Sequence, residues 1–197
     1  MANKREAKIT RKTKETDIDV AFDLDGNGNY SVKTDIPFFN HLLESFSRHG
    51  RFDVKIRATG DTSVDYHHLV EDTGITMGDA FNKAVGNKGG IKRFASCYIP
   101  MDEALVRTCL DISGRPFLRY NVELAYPSIL NFDAALIEEF FRAFAFSAGI
   151  TLHVDRLAGS NAHHIVEAVF KSYSIALHEA SRVIYPENEV PSTKGSL

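Results

Sequence analysis

Two adjacent histidines stand three and four residues ahead of a glutamate in "DYHHLVEDTG", Asp65 to Gly74. The same arrangement returns ninety-six residues later in "NAHHIVEAVF", with His163, His164 and Glu167. On an α-helix, residues four apart share one face, with Cβ atoms about 5–6 Å apart. His67 with Glu71, and His163 with Glu167, can therefore grip one cation each. The second histidine of each pair, His68 or His164, projects about 100° away from its neighbour at ~3.6 residues per turn. Two ions, one served by each histidine, suit this geometry better than one.

The repeat points to further donors. His41 in "FFNHLLES" lies 26 residues before His67, and counting back 24 from His163 reaches Glu139 in "IEEFFRAF". The candidate metal ligands are then eight: His41, His67, His68, Glu71, Glu139, His163, His164 and Glu167. Mixed imidazole and carboxylate donors without a thiolate suit six-coordinate Mn²⁺ or Fe²⁺ better than tetrahedral Zn²⁺. A lone helical histidine is more often a capping or core residue than a ligand. Recurrence at equivalent positions lifts these above that reading. His49, His153 and His178 have no such support and read as a helix-end, a strand-face and a surface residue.

Such side chains need elements to hold them in register. "TKETDIDVAFDLDGNGNYSV" alternates apolar and polar residues around a turn rich in glycine and asparagine, a β-hairpin signal. "MDEALVRTCLDISGRPFLRYNVEL" repeats it, turning at Ser113-Gly114-Arg115-Pro116; Glu15 lies eleven residues before Gly26, and Glu103 eleven before Gly114. An apolar-periodic helix follows each. One is "PFFNHLLESFSRHG", with Pro37 in its first turn and Gly50 placed as its stop; the other is "FDAALIEEFFRAFAFSAG", ending at Gly149. Short strands come next, "RFDVKIRATG" and "ITLHVDRLAG", and then the double-histidine helices. The expected fold is α+β, with two tandem pseudo-equivalent halves, each a strand hairpin, helix, strand and helix, packed as one domain. The repeats cover about 8–88 and 96–185, with a C-terminal tail at 186–197.

The chain has 197 residues, 44% apolar and 25% charged, with net charge −3. Near neutrality leaves no global electrostatic footprint for nucleic acid. Its one basic stretch, "NKREAKITRKTKE", reads as a solvated terminus. No apolar run approaches the ~20 residues that cross a bilayer, and the N-terminus lacks the apolar core of a signal peptide. Cys97 and Cys109 are too few for a disulfide framework. A cytoplasmic location, with neither membrane nor nucleic acid as partner, is the expectation.

Taken together, "RKTKET", "PFFNHLLESFSRHG", "DYHHLVEDTG", "RFA", "PMDEALV", "DISGRP", "GSNAHHIVEA" and "PSTKG" span nearly the whole chain. In this order they closely resemble the imidazoleglycerol-phosphate dehydratase family of histidine biosynthesis. The resemblance implies a manganese enzyme with two Mn²⁺ per active site. It further implies a homo-oligomeric shell of twenty-four subunits built from trimers. Active sites then lie between subunits, the first double-histidine helix of one facing the second of a neighbour. Some members carry a histidine where this chain has Glu139.

The implied reaction removes water from imidazole glycerol phosphate to give imidazole acetol phosphate. The departing hydrogen sits beside no carbonyl, so enolate stabilisation is not open to it. A metal-bound imidazolate offers another route, its electrons expelling the C3 hydroxyl through a diazafulvene-like intermediate. The resemblance nominates Glu15 for contact with the reacting carbons. With Glu71 and Glu167, which double as ligands, it forms the candidate catalytic set. Arg93, Arg115, Ser192 and Lys194 match the family's phosphate-contacting positions, arginine as a bidentate fork and lysine as a point charge. The mobile tail could close over bound substrate. Without the resemblance, Glu15 reads as an exposed strand-end carboxylate, Arg115 as a hairpin-tip residue, and Ser192 and Lys194 as a frayed tail.

Two other readings stay open at this level. A dinuclear-metal phosphatase would want aspartates bridging ions about 3.5–4 Å apart, but Asp65 and Asp72 have no counterparts in the second copy. A metal-storage or structural shell would leave Arg93, Arg115 and Lys194 without a role.

Overall fold

Both halves run strand, strand, strand, helix, strand, helix. The computed structural model describes residues 4–126, 128–186 and 188–195. Of the expected tail, residues 187, 196 and 197 lie outside the described residues. The first half comprises β1 (Glu6–Lys12), β2 (Thr16–Asp23), β3 (Tyr30–Lys33), α1 (Pro37–Gly50), β4 (Asp53–Gly60) and α2 (His67–Val85). The second comprises β5 (Phe94–Met101), β6 (Ala104–Asp111), β7 (Phe117–Asn121), α3 (Ala135–Ala148), β10 (Thr151–Ala158) and α4 (Ala162–Ser181). A small extra pair, β8 (Ser128–Ile129) and β9 (Phe132–Asp133), precedes α3.

Strand pairing differs from the expected hairpins. The sheets are ordered β1-β2-β4-β3 and β5-β6-β10-β7, so neither β2 with β3 nor β6 with β7 is paired. The hairpins are instead β1–β2 and β5–β6, and each later strand inserts beside a parallel partner, β3 on β4 and β7 on β10. The glycine-rich turns explain the difference. Asp53, opening β4, accepts the N–H groups of Asn27 and Asn29 at 2.8 and 2.9 Å. The loop therefore wraps over the start of β4 instead of closing a two-residue turn. In the second half Gly149, at the end of α3, packs against Gly114, again steering the chain away from β6.

The alternation of β2 and β6 puts one face of each strand into the interior. α1 and α2 cover the first sheet, α3 and α4 the second, and the helices then meet across the halves, α2 on α3 and α1 on α4. One continuous core results, dense in aromatics such as Phe46, Phe140, Phe144 and Tyr173. The α2–α3 approach is close because Gly74 and Gly78 carry no side chain. A Cβ there would stand 2.7 Å from the Phe140 carbonyl oxygen and 2.6 Å from that of Phe144. α3 ends as expected on left-handed Gly149, φ 66°. α1 has Gly50 as its last residue, but the left-handed cap is Arg51, φ 58°; Gly50 is needed for space, since a Cβ there would stand 2.7 Å from the Phe52 ring.

Candidate active site

The crossed helix pairing decides which donors meet. His41 on α1 reaches the histidine helix of the other half: its Nε2 is 2.9 Å from Glu167 Oε1, and His163 Nε2 is 2.7 Å from the same oxygen. These three donor atoms lie within 4.8 Å of one another. The His41 and His163 rings stack with centroids 6.1 Å apart. Glu167 Oε2 accepts from Lys171 Nζ at 2.6 Å. Burial by itself would raise the Glu167 pKa; hydrogen bonds from Lys171, His41 and His163 outweigh it and hold the carboxyl at about 2.

Glu139 on α3 is carried to the first histidine helix in the same crossed manner. It lines a cavity of about 460 Å³ with His67, Asp65, Tyr66 and Asn131. Within α2, His67 Nε2 lies 3.6 Å from Glu71 Oε2. The adjacent rings diverge as helix geometry requires: His67 and His68 stand at 89°, His163 and His164 at 83°.

Each diverging histidine has its own carboxylate. His68 Nδ1 lies 3.1 Å from Asp61, which follows β4, and 3.7 Å from Glu15. His164 Nδ1 lies 2.8 Å from Glu103 and its Nε2 3.7 Å from Asp102, both in the β5–β6 turn. The Asp61 and Glu103 hydrogen bonds raise the pKa values of His68 and His164 respectively, against partial desolvation. A carboxylate on Nδ1 fixes the tautomer and leaves Nε2 as the free lone pair, the usual arrangement behind a metal-ligating imidazole. Sequence reasoning missed Asp61 in this role. Asp102 and Glu103 were hidden likewise, because their proximity to His164 depends on strand pairing.

Glu15 is exposed in the β1–β2 turn, immediately before the first residue of β2. Thr13 Oγ1 accepts the N–H groups of Glu15 and Thr16, and the Glu15 carbonyl accepts from Asp61 N–H. Thr16 and Arg11 both donate to Asp72 on α2, pinning the turn to the histidine helix. Asp65 accepts from the N–H of His67 at the start of α2. Neither Asp65 nor Asp72 bridges the donor clusters.

A second cluster forms at the far end of the second sheet. Arg93, Arg115, Ser192, Thr193 and Lys194 line one cavity of about 440 Å³. All four expected phosphate-contacting residues are thus brought together. Arg93 is already engaged: its Nε and Nη2 donate to the two oxygens of Asp111 at 2.7 and 3.1 Å, and Nη1 to the Pro191 carbonyl at 2.6 Å.

The remaining histidines separate as follows. His49 is exposed in the last turn of α1, and His153 faces outward from β10 beside the Phe117 ring. His178 departs from the surface reading. It is half-buried against Phe52, its Nδ1 has no partner among the described residues, and desolvation lowers its pKa. Four residues after buried Ser174 and three before buried Ser181, it lies towards the inward face of α4, one turn before the end.

Among the described residues, no helix is long and apolar enough to cross a membrane. Fold and site define an α+β protein of duplicated halves, its imidazole–carboxylate clusters accompanied by a cavity lined with cationic side chains. The particular family follows from comparison. The family model described as imidazoleglycerol-phosphate dehydratase matches residues 34–177, and the chain belongs to that family. An imidazoleglycerol-phosphate dehydratase of Thermoanaerobacter pseudethanolicus is 54% identical over 193 residues, covering 98% of this chain and 100% of that protein. One from Prochlorococcus marinus is 50% identical, covering 100% and 98%. Among solved structures, the enzyme of Staphylococcus aureus superposes with TM-score 0.81 at 36% identity, over 89% of this chain and 97% of that one. The enzyme of Pyrococcus furiosus, in complex with (S)-C348, superposes with TM-score 0.83 at 37% identity, over 96% and 100%. The chain is a hydro-lyase of histidine biosynthesis.

Proposed function

We propose that this chain dehydrates imidazole glycerol phosphate to imidazole acetol phosphate with two Mn²⁺ per active site. The observation that carries this is the pairing of imidazole–carboxylate clusters with the pocket of Arg93, Arg115, Ser192 and Lys194 on one chain. The donor set fits a hard-to-borderline divalent ion: each cluster mixes imidazole nitrogen and carboxylate oxygen, and no thiolate takes part. His41, His163 and Glu167 would hold one ion; His67, Glu71 and Glu139 offer a second set, and His68 and His164 present their Nε2 atoms for completion across subunits. When bound, the ions supply Lewis acidity that favours the imidazolate form of the substrate ring.

The chain's own residues do the rest. Arg93, Arg115, Ser192 and Lys194 bind and orient the phosphate, fixing the glycerol carbons relative to the ring. Glu15 moves the proton at those carbons as the C3 hydroxyl leaves, through a diazafulvene-like species of the substrate. Lys171 and the two imidazoles hold Glu167 ionised, a donor at every working pH. His68 and His164 stand outside the His41, His163 and Glu167 group; their completion by neighbouring chains, in a shell of twenty-four subunits built from trimers, belongs to the same proposal. A cytoplasmic location is part of this proposal, in keeping with the biosynthetic role of the family. The deciding experiment is a manganese-dependent assay with imidazole glycerol phosphate, following the ketone product. No product with fully metallated protein would defeat this reading.

A further inference from the structure

Asp111 is out of place by simple charge logic, a carboxylate set against the two arginines of an anion pocket. Like charges a few ångströms apart repel even near a surface, so its presence needs a positive reason. We infer that Asp111 is a positioning residue: it holds Arg93 as a pre-oriented fork and, through Arg93, docks the tail that completes the phosphate site. This rests on the reading of the pocket given above.

The geometry supports it. Asp111 is the last residue of β6, and both its oxygens accept from Arg93, at 2.7 and 3.1 Å. Its side chain is 16% exposed and that of Arg93 12%, so this is a largely desolvated pair. Arg93 is over-determined at the backbone as well. It stands at φ 74°, its N–H donating to Ala180 and its carbonyl accepting from Ile112. Of five N–H groups, three are committed, two to Asp111 and one to the Pro191 carbonyl. The remaining two, one on each Nη, have no partner among the described residues and can meet an anion. A loose arginine gives up several rotatable bonds when it grips a ligand; here they are fixed in advance.

Asp111 Oδ2 also lies 3.5 Å from Arg115 Nη2, so one carboxylate draws both forks towards the same point. Pro191, held by Arg93, directly precedes Ser192, and Lys194 follows two residues on. The charge sum is informative too. Arg93, Arg115 and Lys194 contribute three positive charges and Asp111 one negative, leaving two, the magnitude carried by a phosphate-monoester dianion.

Electrostatics alone and positioning predict opposite signs for Asp111→Asn. Removing the negative charge takes the pocket from two positive charges to three and should tighten phosphate binding. Loss of the fork should weaken it. On the metallated full-length protein, with inorganic phosphate as probe, calorimetric titration should show binding about tenfold weaker. Tighter or unchanged binding overturns the inference. With imidazole glycerol phosphate, KM should rise by a similar factor while kcat stays within about twofold; an equal fall in kcat would mark a general loosening instead. Arg93→Lys keeps the charge and loses the fork, so it should reproduce the loss and serves if Asp111→Asn does not fold. Unaltered phosphate affinity in Arg93→Lys overturns the inference as well. The double variant should bind only slightly more weakly than Arg93→Lys alone, because Asp111 acts chiefly through Arg93 and only by its longer contact through Arg115; fully additive losses would contradict that. A wild type that binds phosphate but does not turn over imidazole glycerol phosphate defeats the proposed function and leaves this inference standing. A wild type that binds no phosphate removes the pocket, and the inference with it.

Discussion

Glu15 and Glu103 occupy the same place in the two halves, each immediately before the second strand of a hairpin, yet only Glu103 is tied down. Its Oε1 accepts the N–H groups of Ser160 and Asn161 at 3.1 and 2.8 Å, and its Oε2 meets His164 Nδ1 at 2.8 Å. The His164 hydrogen bond, aided by those two backbone donors, holds the Glu103 carboxyl at about 2. In the first half Asp61 takes the histidine, and Glu15 stands off at 3.7 Å with its side chain 54% exposed. One member of the pair is a clamp; the other is left with a free carboxylate.

Substitution should separate the two roles. Glu15→Gln should keep metal content, assembly and substrate binding, and lose turnover by ~10²–10⁴-fold, as for a positioned acid–base group. Glu103→Gln should instead lower metal content, since an amide there disturbs the His164 tautomer and the turn before α4. Near-normal turnover in a fully metallated Glu15→Gln would remove Glu15 from the mechanism. The proton would then have to pass through Asp102 or a water, because Glu103 is committed elsewhere.

His67→Ala and His163→Ala should each reduce bound metal, while His178→Ala should not. The comparison is sharper for His178 being half-buried against Phe52. Its removal should cost folding stability through lost packing, so melting temperature falls while metal per chain holds. Equal metal loss in all three, measured by elemental analysis, would mean the duplicated phrase had pointed to the wrong histidines.

The duplicated phrase was legible because helix periodicity and repeat spacing are local. His67, Glu71, His163 and Glu167 fall where 3.6 residues per turn places them, and α1 to α4 begin and end near their expected residues. Pairing was not legible. The runs flanking each glycine-rich turn look like hairpins, but loop contacts with Asp53 and Gly149 send the chain across a later strand. The carboxylates behind the histidines were hidden for the same reason. Glu103 lies 61 residues from His164, and only the β5–β6 turn brings them together. The crossing of His41 to α4 and Glu139 to α2 likewise follows from helix packing between halves, which no spacing within one half encodes.

A pH effect should appear away from the metal donors. Asp155 on β10 is buried, accepting from Arg107 at 2.8 Å and Asn121 at 3.2 Å. The Arg107 hydrogen bond lowers its pKa below 3.8, against desolvation. A carboxyl depressed in the folded state contributes stability that is fully present above its unfolded value and lost as pH falls through the folded one. Asp155→Asn should therefore be less stable than wild type at pH 7, by about 1–3 kcal/mol. The gap should close only below pH 3.8. A gap that stayed constant down to acid unfolding, in denaturant titrations at several pH values, would show that the charge is not what matters.

Metal should govern assembly as well as chemistry, since donors on separate chains must meet to be satisfied. Complete metal removal should shift the particle to small oligomers, trimers foremost, and manganese should restore the large form. Light scattering checks this. A large shell unchanged after verified metal removal would end the shared-ligand model.

Gly78 tests whether the close approach of α2 and α3 serves the site. Alanine is the better helix former by about 1 kcal/mol, so Gly78→Ala should stabilise α2 if nothing else changed. The new Cβ, however, would stand 2.6 Å from the Phe144 carbonyl oxygen and 2.7 Å from Ser147 Cβ. A backbone carbonyl cannot rotate aside, so the helices must separate, and overpacking of this kind costs about 1–3 kcal/mol. α3 carries Glu139 and α2 carries His67, so separation widens the cavity they share. Gly78→Ala should thus lower both the melting temperature and the metal bound at this donor pair. Asp79→Ala, one residue along on the exposed face, gains helix propensity, by up to about 0.7 kcal/mol, without the clash. It should be neutral or slightly stabilising, with metal content unchanged. Should Gly78→Ala melt higher than wild type with full metal content, close α2–α3 packing would have no part in placing Glu139.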